Sequence, residues 1–367
     1  MPEERSPRAE RPDERAIESA LAALSSGALV GLPTETLYGI AARADSREAL
    51  AELAQIRGAD GARRPFELHV FSSEQARPYG ALWLRPAERL MDRFWPGPLT
   101  LEVPASSAVP PALLAEVPAE ERAWIGLRVP ATPTARELLR RAPFPIAATS
   151  ATAAYLAQVD ATVRGRLAAA LDDATPSLAQ PSTVLRIGPG RFEIRREGIL
   201  SLEDLRRVAG RRVLIVCTGN TCRSPMAEVV LRARLAETLS GKHAATDAQA
   251  RAMISQFGYV VESAGVSASV GSGASPAADA AVRDLGLSLR DHQSRQLTTA
   301  MLSQFDQIYG LSDRHVAAIQ DWAEGEISVD RLDPRRDIDD PFGGPLLVYR
   351  RALAQIVEAV EARLANL

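Results

Sequence analysis

The sharpest chemistry in the chain lies in two residues, Cys217 and Arg223, spaced C-x₅-R. A thiolate is a strong nucleophile, and an arginine can grip two oxygens of a phosphoryl group at once. Both sit in VLIVCTGNTCRSPMAEVVLRARL, which reads as an apolar strand (Val213–Val216), an eight-residue loop and a helix. Ser224 suits the helix N-cap and Pro225 its first turn. Successive loop N–H groups at the positive end of a helix dipole make an anion cradle. A bare C-x₅-R also describes a buried cysteine near a loop arginine. The strand before it and the capped helix after it are what point to phosphoryl transfer. Cys217 and Cys222 are the chain's 2 cysteines. They are too few for a disulfide framework, and C-x₄-C with no companion His or Cys pair is a poor metal site.

The elements that must position this loop follow an α/β pattern. Short apolar runs alternate with Ala/Leu/Arg-rich segments, and 367 residues suggest two domains, or three. Strands are predicted at Ala28–Leu32, Phe66–Phe71, Leu99–Val103, Ile125–Val129, Thr183–Ile187 and Phe192–Ile194. Helices are predicted at Asp13–Ser25, Arg47–Gln55, Arg85–Arg93, Thr134–Arg141 and Ser201–Ala209. The cleanest boundary falls at 207–211, and the charged first 13 residues read as a loose tail.

Charge narrows the partners. Up to residue 210 there are 26 arginines against 27 carboxylates, and beyond it 17 basic against 19 acidic side chains. Neither half has the basic excess that holds nucleic acid by phosphate neutralisation. The chain has one lysine, Lys242. No apolar run approaches a membrane span and the N-terminus lacks a signal's apolar core, so a cytoplasmic protein with no membrane partner is expected.

The loop Cys217-Thr218-Gly219-Asn220-Thr221-Cys222-Arg223-Ser224-Pro225 carries a resemblance. With Glu262-Ser263-Ala264-Gly265, Asp291–Thr298 and Asp337-Ile338-Asp339-Asp340-Pro341-Phe342-Gly343, it makes residues 212–367 similar to low-molecular-weight protein tyrosine phosphatases. That family implies a Rossmann-like parallel sheet, phosphorylated proteins as substrates, a phosphocysteine intermediate and no cofactor or metal. Its general acid is the Asp of the Asp-Pro step, here Asp340; residue types alone leave Asp333, Asp337, Asp339 and Asp340 unseparated. The resemblance also assigns Asn220, Ser224, Ser263 and His292 to the network shaping the loop. Cys222 becomes either a reversible disulfide partner of Cys217 or a packing residue. A subgroup resembling arginine phosphatases shares C-T-G-N-T-C-R-S-P and D-P-F-G, with Thr221 where tyrosine-directed members usually carry an apolar residue. Phosphoarginine is therefore expected ahead of phosphotyrosine. The stretch Glu237–Gly258 is longer than the family needs and is expected to form a surface excursion.

The first half resembles the YrdC family over 14–208, and a twisted α/β sheet is expected there. The resemblance rests on Pro33–Gly39, Phe94–Thr100, Gly126–Pro130, Ser182-Thr183-Val184 and Arg196-Glu197-Gly198. The family makes threonylcarbamoyl-AMP from threonine, bicarbonate and ATP (with Mg) for a tRNA modification, so tRNA itself would be met only indirectly. By position, Thr36, His69 and Arg128 would meet threonine, and Ser150, Ser182 and Arg196 threonine or nucleotide. Two departures weaken the synthase reading and leave a degenerate binding module as the expectation. The family's K-x-R pair reads Arg57-Gly58-Ala59, with Arg63 or Arg64 as stand-ins. Its S-A-N-x-S-G reads Ser150-Ala151-Thr152-Ala153-Ala154-Tyr155.

Overall fold

The computed structural model describes residues 13–57, 66–114, 118, 123–172, 178–323 and 328–367. Ala59, Arg63, Arg64 and residues 1–12 of the expected tail lie outside them. The described residues divide into two compact units. One runs to Gly188 and takes in Phe192–Leu205; the other comprises Pro189–Arg191 and Arg206–Leu367.

The first unit's sheet, among the described residues, holds nine strands in the order β7-β1-β2-β6-β3-β5-β4-β8-β9. They are β1 (Leu29–Leu32), β2 (Gly39–Arg43), β3 (Glu67–His69), β4 (Leu99–Pro104), β5 (Trp124–Arg128), β6 (Ile146–Ser150), β7 (Leu167–Ala170), β8 (Thr183–Gly188) and β9 (Arg191–Arg196). Pairing is mixed: β1/β2, β2/β6, β3/β6 and β4/β5 are antiparallel, while β1/β7, β3/β5 and β4/β8 are parallel. Asp13 caps the helix Glu14–Ser25, whose Ile17, Ala20 and Leu24 pack with Val30, Leu32 and Leu138 in one core cluster. Each of the Ile, Leu and Val side chains contributes about 1.5–3 kcal/mol by leaving water.

The predicted strands and helices of this half are present with ends shifted by a few residues. Three further strands, β2, β6 and β7, were not predicted. Their sequences GIAAR, IAATS and LAAA are alanine-rich, and alanine favours helix when nothing else decides. Strand pairing inside the sheet overrides that preference.

Among its described residues the second unit has four strands, all parallel: β10 (Arg212–Cys217), β11 (Val260–Gly265), β12 (Gln307–Gly310) and β13 (Val329–Arg331). Val213–Cys217 are buried without alternation, as befits a strand covered on both faces. The order β11-β10-β12-β13 places β10 between the strand that follows it and the strand after that. Such a reversal opens a crevice at the carboxyl ends of the strands. Cys217 is the last residue of β10, at that crevice.

Helix Arg223–Ser240 begins one residue before the expected N-cap, and Cys222 occupies the cap position without a side-chain cap bond. The connecting loop is thus 218–222, shorter than the eight residues expected. Ser224 lies in the first turn, where its hydroxyl serves the loop. Glu237–Gly258 lies largely at the surface of the unit and is ordered rather than irregular. It contains the helix Asp247–Ser255, capped by Thr246, with Ala250 and Ile254 buried and Asp247 held by Arg232 at 3.0 Å.

Candidate functional site

In the second unit the loop is held from four sides. Asn220 adopts φ +53, which brings its N–H to 3.3 Å from Cys217 Sγ. Its side-chain amide donates to Ser224 Oγ (2.9 Å) and Ser263 Oγ (2.8 Å), and its Oδ1 accepts from the Arg295 N–H (2.8 Å). His292 Nε2 meets the Asn220 carbonyl at 2.7 Å. Ser263 Oγ in turn donates to Glu228 Oε2 at 2.5 Å. Asparagine tolerates a left-handed backbone at low cost, and here the same residue spends its side chain on the neighbouring strand and helix. Gly265 explains a further landmark. A Cβ there would stand 2.5 Å from the Thr218 carbonyl oxygen, so the loop rests directly on the glycine's backbone.

Within this frame the chemistry-bearing groups converge. Cys217 is 3% exposed and its Sγ lies 3.0 Å from Ser224 Oγ. Arg223, also buried, donates from Nη1 to the Ile338 carbonyl (3.2 Å) and from Nη2 to Asp340 Oδ2 (2.7 Å). The Asp340 side chain remains 54% exposed and turns its Oδ1 toward the Phe342 N–H at 3.2 Å. The other three aspartates are engaged elsewhere. Asp333 is fully buried against Arg335 and Arg336, Asp337 pairs with Arg331, and Asp339 accepts from Gln355. Only Asp340 of the four has a hydrogen bond to Arg223. Cys222 Sγ lies 3.5 Å from Tyr349 Oη, which also accepts from Ser275 Oγ at 3.1 Å. Thr221 is partly buried, with Oγ1 3.6 Å from where a Cβ on Gly219 would stand.

One residue of this cluster escaped the sequence reading. His315 Nε2 meets Thr218 Oγ1 at 3.0 Å, and its Nδ1 meets Ser312 Oγ at 2.8 Å. Burial, and then the Arg223 guanidinium, push its pKa down to about 4, so it is neutral at pH 7. It lies 97 residues beyond Thr218 in a helix, and no spacing motif marks it.

The first unit gathers its own set. A cavity of about 380 Å³ is lined by Thr36, Arg57, His69, Arg128, Ser150, Ser182 and Arg196, all seven of the residues picked from the sequence. Arg128 Nη2 donates to Glu35 Oε1 (2.6 Å) and Thr36 Oγ1 (2.7 Å). Arg196 Nη2 donates to Ser182 Oγ (2.7 Å) and meets Glu67 Oε1 at 3.2 Å. Gly198 permits this approach, since a Cβ there would lie 2.5 Å from the Ser182 carbonyl carbon. The motif around Phe94–Thr100 is a packed corner, with Trp95 Nε1 donating to the Leu99 carbonyl at 2.7 Å. Thr152, where the resembling family has asparagine, takes φ +57, a conformation that costs a β-branched residue about 1–3 kcal/mol.

Comparison with known proteins follows the same division. The Sua5_yciO_yrdC family model (telomere recombination) matches residues 22–198, and the low molecular weight phosphotyrosine protein phosphatase model matches 212–367. The low-molecular-weight protein-tyrosine-phosphatase Wzb of Salmonella typhimurium is 34% identical over 135 residues, 36% of this chain and 76% of Wzb. The chain belongs, through its second half, to the low molecular weight protein-tyrosine-phosphatase family. With its first half it is a fusion of a Sua5/YrdC domain and a phosphatase domain. Threonylcarbamoyl-AMP synthase of Pyrococcus abyssi is 32% identical over 209 residues, 55% of this chain but 59% of that protein's length. Among solved structures, the YwlE arginine phosphatase of Geobacillus stearothermophilus is 29% identical, with a TM-score of 0.34, over 42% of this chain and 92% of its own. Among the described residues, no helix is long and apolar enough to cross a membrane.

Proposed function

We propose that the second unit hydrolyses phosphorylated proteins through a phosphocysteine, with phosphoarginine preferred over phosphotyrosine. The observation that carries this reading is the cluster of Cys217, Arg223 and Asp340 around one loop of backbone amides. Cys217 Sγ attacks phosphorus while Asp340, protonated, gives its proton to the departing nitrogen or oxygen; the S–P bond forms as the P–N or P–O bond breaks. Water then attacks phosphorus, Asp340 takes its proton, and the S–P bond breaks to release phosphate and restore the thiolate. Arg223 and the loop N–H groups hold the equatorial oxygens throughout. The chemistry calls on no metal.

The substrate preference rests on Thr221. A hydroxyl at the loop surface supplies a hydrogen-bonding partner to a polar guanidinium, whereas a phenol ring gains nothing from it. Phosphotyrosine is the second reading, favoured by Phe342, two residues beyond Asp340 and 78% exposed, an apolar face a phenol could stack on. Replacing Thr221 by valine keeps the volume and removes the hydroxyl. The expected result is a roughly fivefold shift of kcat/KM from phosphoarginine toward phosphotyrosine, in line with about 1 kcal/mol for one lost hydrogen bond. Equal kcat/KM ratios for the two forms on phosphoarginine- and phosphotyrosine-bearing peptides would sink the preference.

For the first unit, we propose a small-molecule binding module at the 380 Å³ cavity rather than a working synthase. Hydroxyls and arginines suited to an amino acid line it, while the two arginines that would meet a carboxylate or phosphate already touch carboxylates. The purified full chain, given ATP, magnesium, bicarbonate and threonine, is expected to release no pyrophosphate beyond the threonine-free control. Threonine-dependent release would overturn this and establish a bifunctional enzyme.

A further inference from the structure

Glu67 is the least expected group in the first unit's cavity. It stands on β3 between Leu68, which is buried in the core, and the stretch that precedes the strand, and its carboxylate turns into the cavity wall. Oε2 accepts from Thr100 Oγ1 at 3.0 Å and Oε1 faces Arg196 Nη2 at 3.2 Å. Burial alone would push its pKa up, but Arg196, His69 and Arg128 bring it down to about 2, so it is a carboxylate at any working pH. His69, held to about 4 by burial and Arg128, adds no positive charge.

The described lining carries three arginines against two carboxylates, and one further carboxylate just behind the wall offsets the third arginine. Arg57, Arg128 and Arg196 face Glu67 and Asp160, with Glu35 bonded directly behind Arg128. A nucleoside triphosphate brings about four negative charges and needs a surplus of cations. A zwitterion needs the opposite: one cation for its carboxylate, one anion for its ammonium, and hydroxyls around both. The cavity supplies these, with Thr34, Thr36 and Ser150 on its wall and His69 Nδ1 without a hydrogen-bond partner among the described residues.

We propose that Glu67 sets the charge selectivity of this cavity, admitting a net-neutral amino acid and turning away a nucleoside triphosphate by neutralising Arg196. The proposal rests on the reading of the cavity as a ligand site. Glu67 is placed to do both jobs: it removes a phosphate's partner and adds a repelling charge beside it.

The test is calorimetric titration of the full chain with L-threonine and with magnesium ATP, for the native protein and Glu67→Gln. Glutamine keeps the size and can still accept from Thr100. The expected result is threonine binding in the native protein that weakens severalfold in Glu67→Gln, which loses an anion for the ammonium. ATP should bind Glu67→Gln at least about tenfold more tightly than the native chain, the effect of one charge removed at close range. The Arg196 side chain is 35% exposed and stays partly solvated without its partner, so the fold should survive; Glu67→Ala serves if the glutamine variant does not. Arg196→Gln provides the second reading. It should weaken ATP binding in Glu67→Gln, and in the native background it bares the Glu67 carboxylate and should not strengthen ATP binding. Equal ATP affinity in native and Glu67→Gln proteins, or threonine binding with no ATP binding in either, overturns the role of Glu67. Failure of both ligands to bind either form overturns the ligand site itself.

Discussion

Cys217→Ser lowers phosphate release by at least about 10⁴-fold on every phosphorylated substrate, the scale seen when a covalent nucleophile is removed. A serine hydroxyl is almost wholly protonated at neutral pH and would need a base to attack phosphorus. The groups beside Sγ are Ser224 Oγ at 3.0 Å and the Asn220 N–H at 3.3 Å. Both are suited to hold negative charge at the sulfur, and neither takes a proton from a hydroxyl. Serine is close to cysteine in volume, so the loop should keep its shape. Steady-state phosphate release, paired with a thermal melt unchanged within a few degrees, separates lost chemistry from lost fold. Turnover above a tenth of the native value would sink the phosphocysteine mechanism.

Asp340→Asn comes next in size, with kcat down by roughly 10²–10⁴, the range for a positioned general acid. Asparagine fills the same space and can still meet Arg223, but it carries no proton to donate. The loss should therefore grow with the basicity of the leaving group. It should be least for p-nitrophenyl phosphate, whose leaving group departs unaided, larger for phosphotyrosine and largest where a guanidine nitrogen must be protonated. Binding should move the other way. Arg223 Nη2 now shares itself with Asp340 Oδ2 at 2.7 Å, and without that carboxylate it is more available to phosphate. Little stability depends on the pair, because the Asp340 side chain is 54% exposed and its charge is screened. A kcat loss independent of leaving group would remove Asp340 from the acid's role, whatever its size.

The phosphatase half was legible because its chemistry is local. The proposed nucleophile, the loop amides and the arginine fall within the seven residues Cys217–Arg223, and a buried strand leading into a helix is the element pair such a loop requires. Boundaries inside that motif were less legible. The helix starts at Arg223 because Ser224 spends its hydroxyl on Cys217 and Asn220 rather than on capping, a choice that depends on where Asn220 is held by Ser263. The alanine-rich strands β2 and β6 were hidden for a related reason. Their side chains carry too little β preference to show in the sequence, and the neighbouring strands decide their conformation.

The sequence by itself determined two α/β halves, a cysteine-centred loop between strand and helix, and a set of seven residues that share one cavity. Each of these follows from short-range order: hydrophobic runs, turn residues and motif spacing act over a few residues at a time. Residue types alone leave the four neighbouring aspartates equivalent; the Asp-Pro step pointed to Asp340, and the tertiary structure shows that it is the one hydrogen-bonded to Arg223 while the others reach other arginines or an amide. Tertiary structure alone brought His315 to Thr218 across 97 residues, and turned Glu67 against Arg196 in the first unit's cavity. Charge pairing acts between side chains brought together by the packing of distant strands and helices, and no linear pattern encodes it.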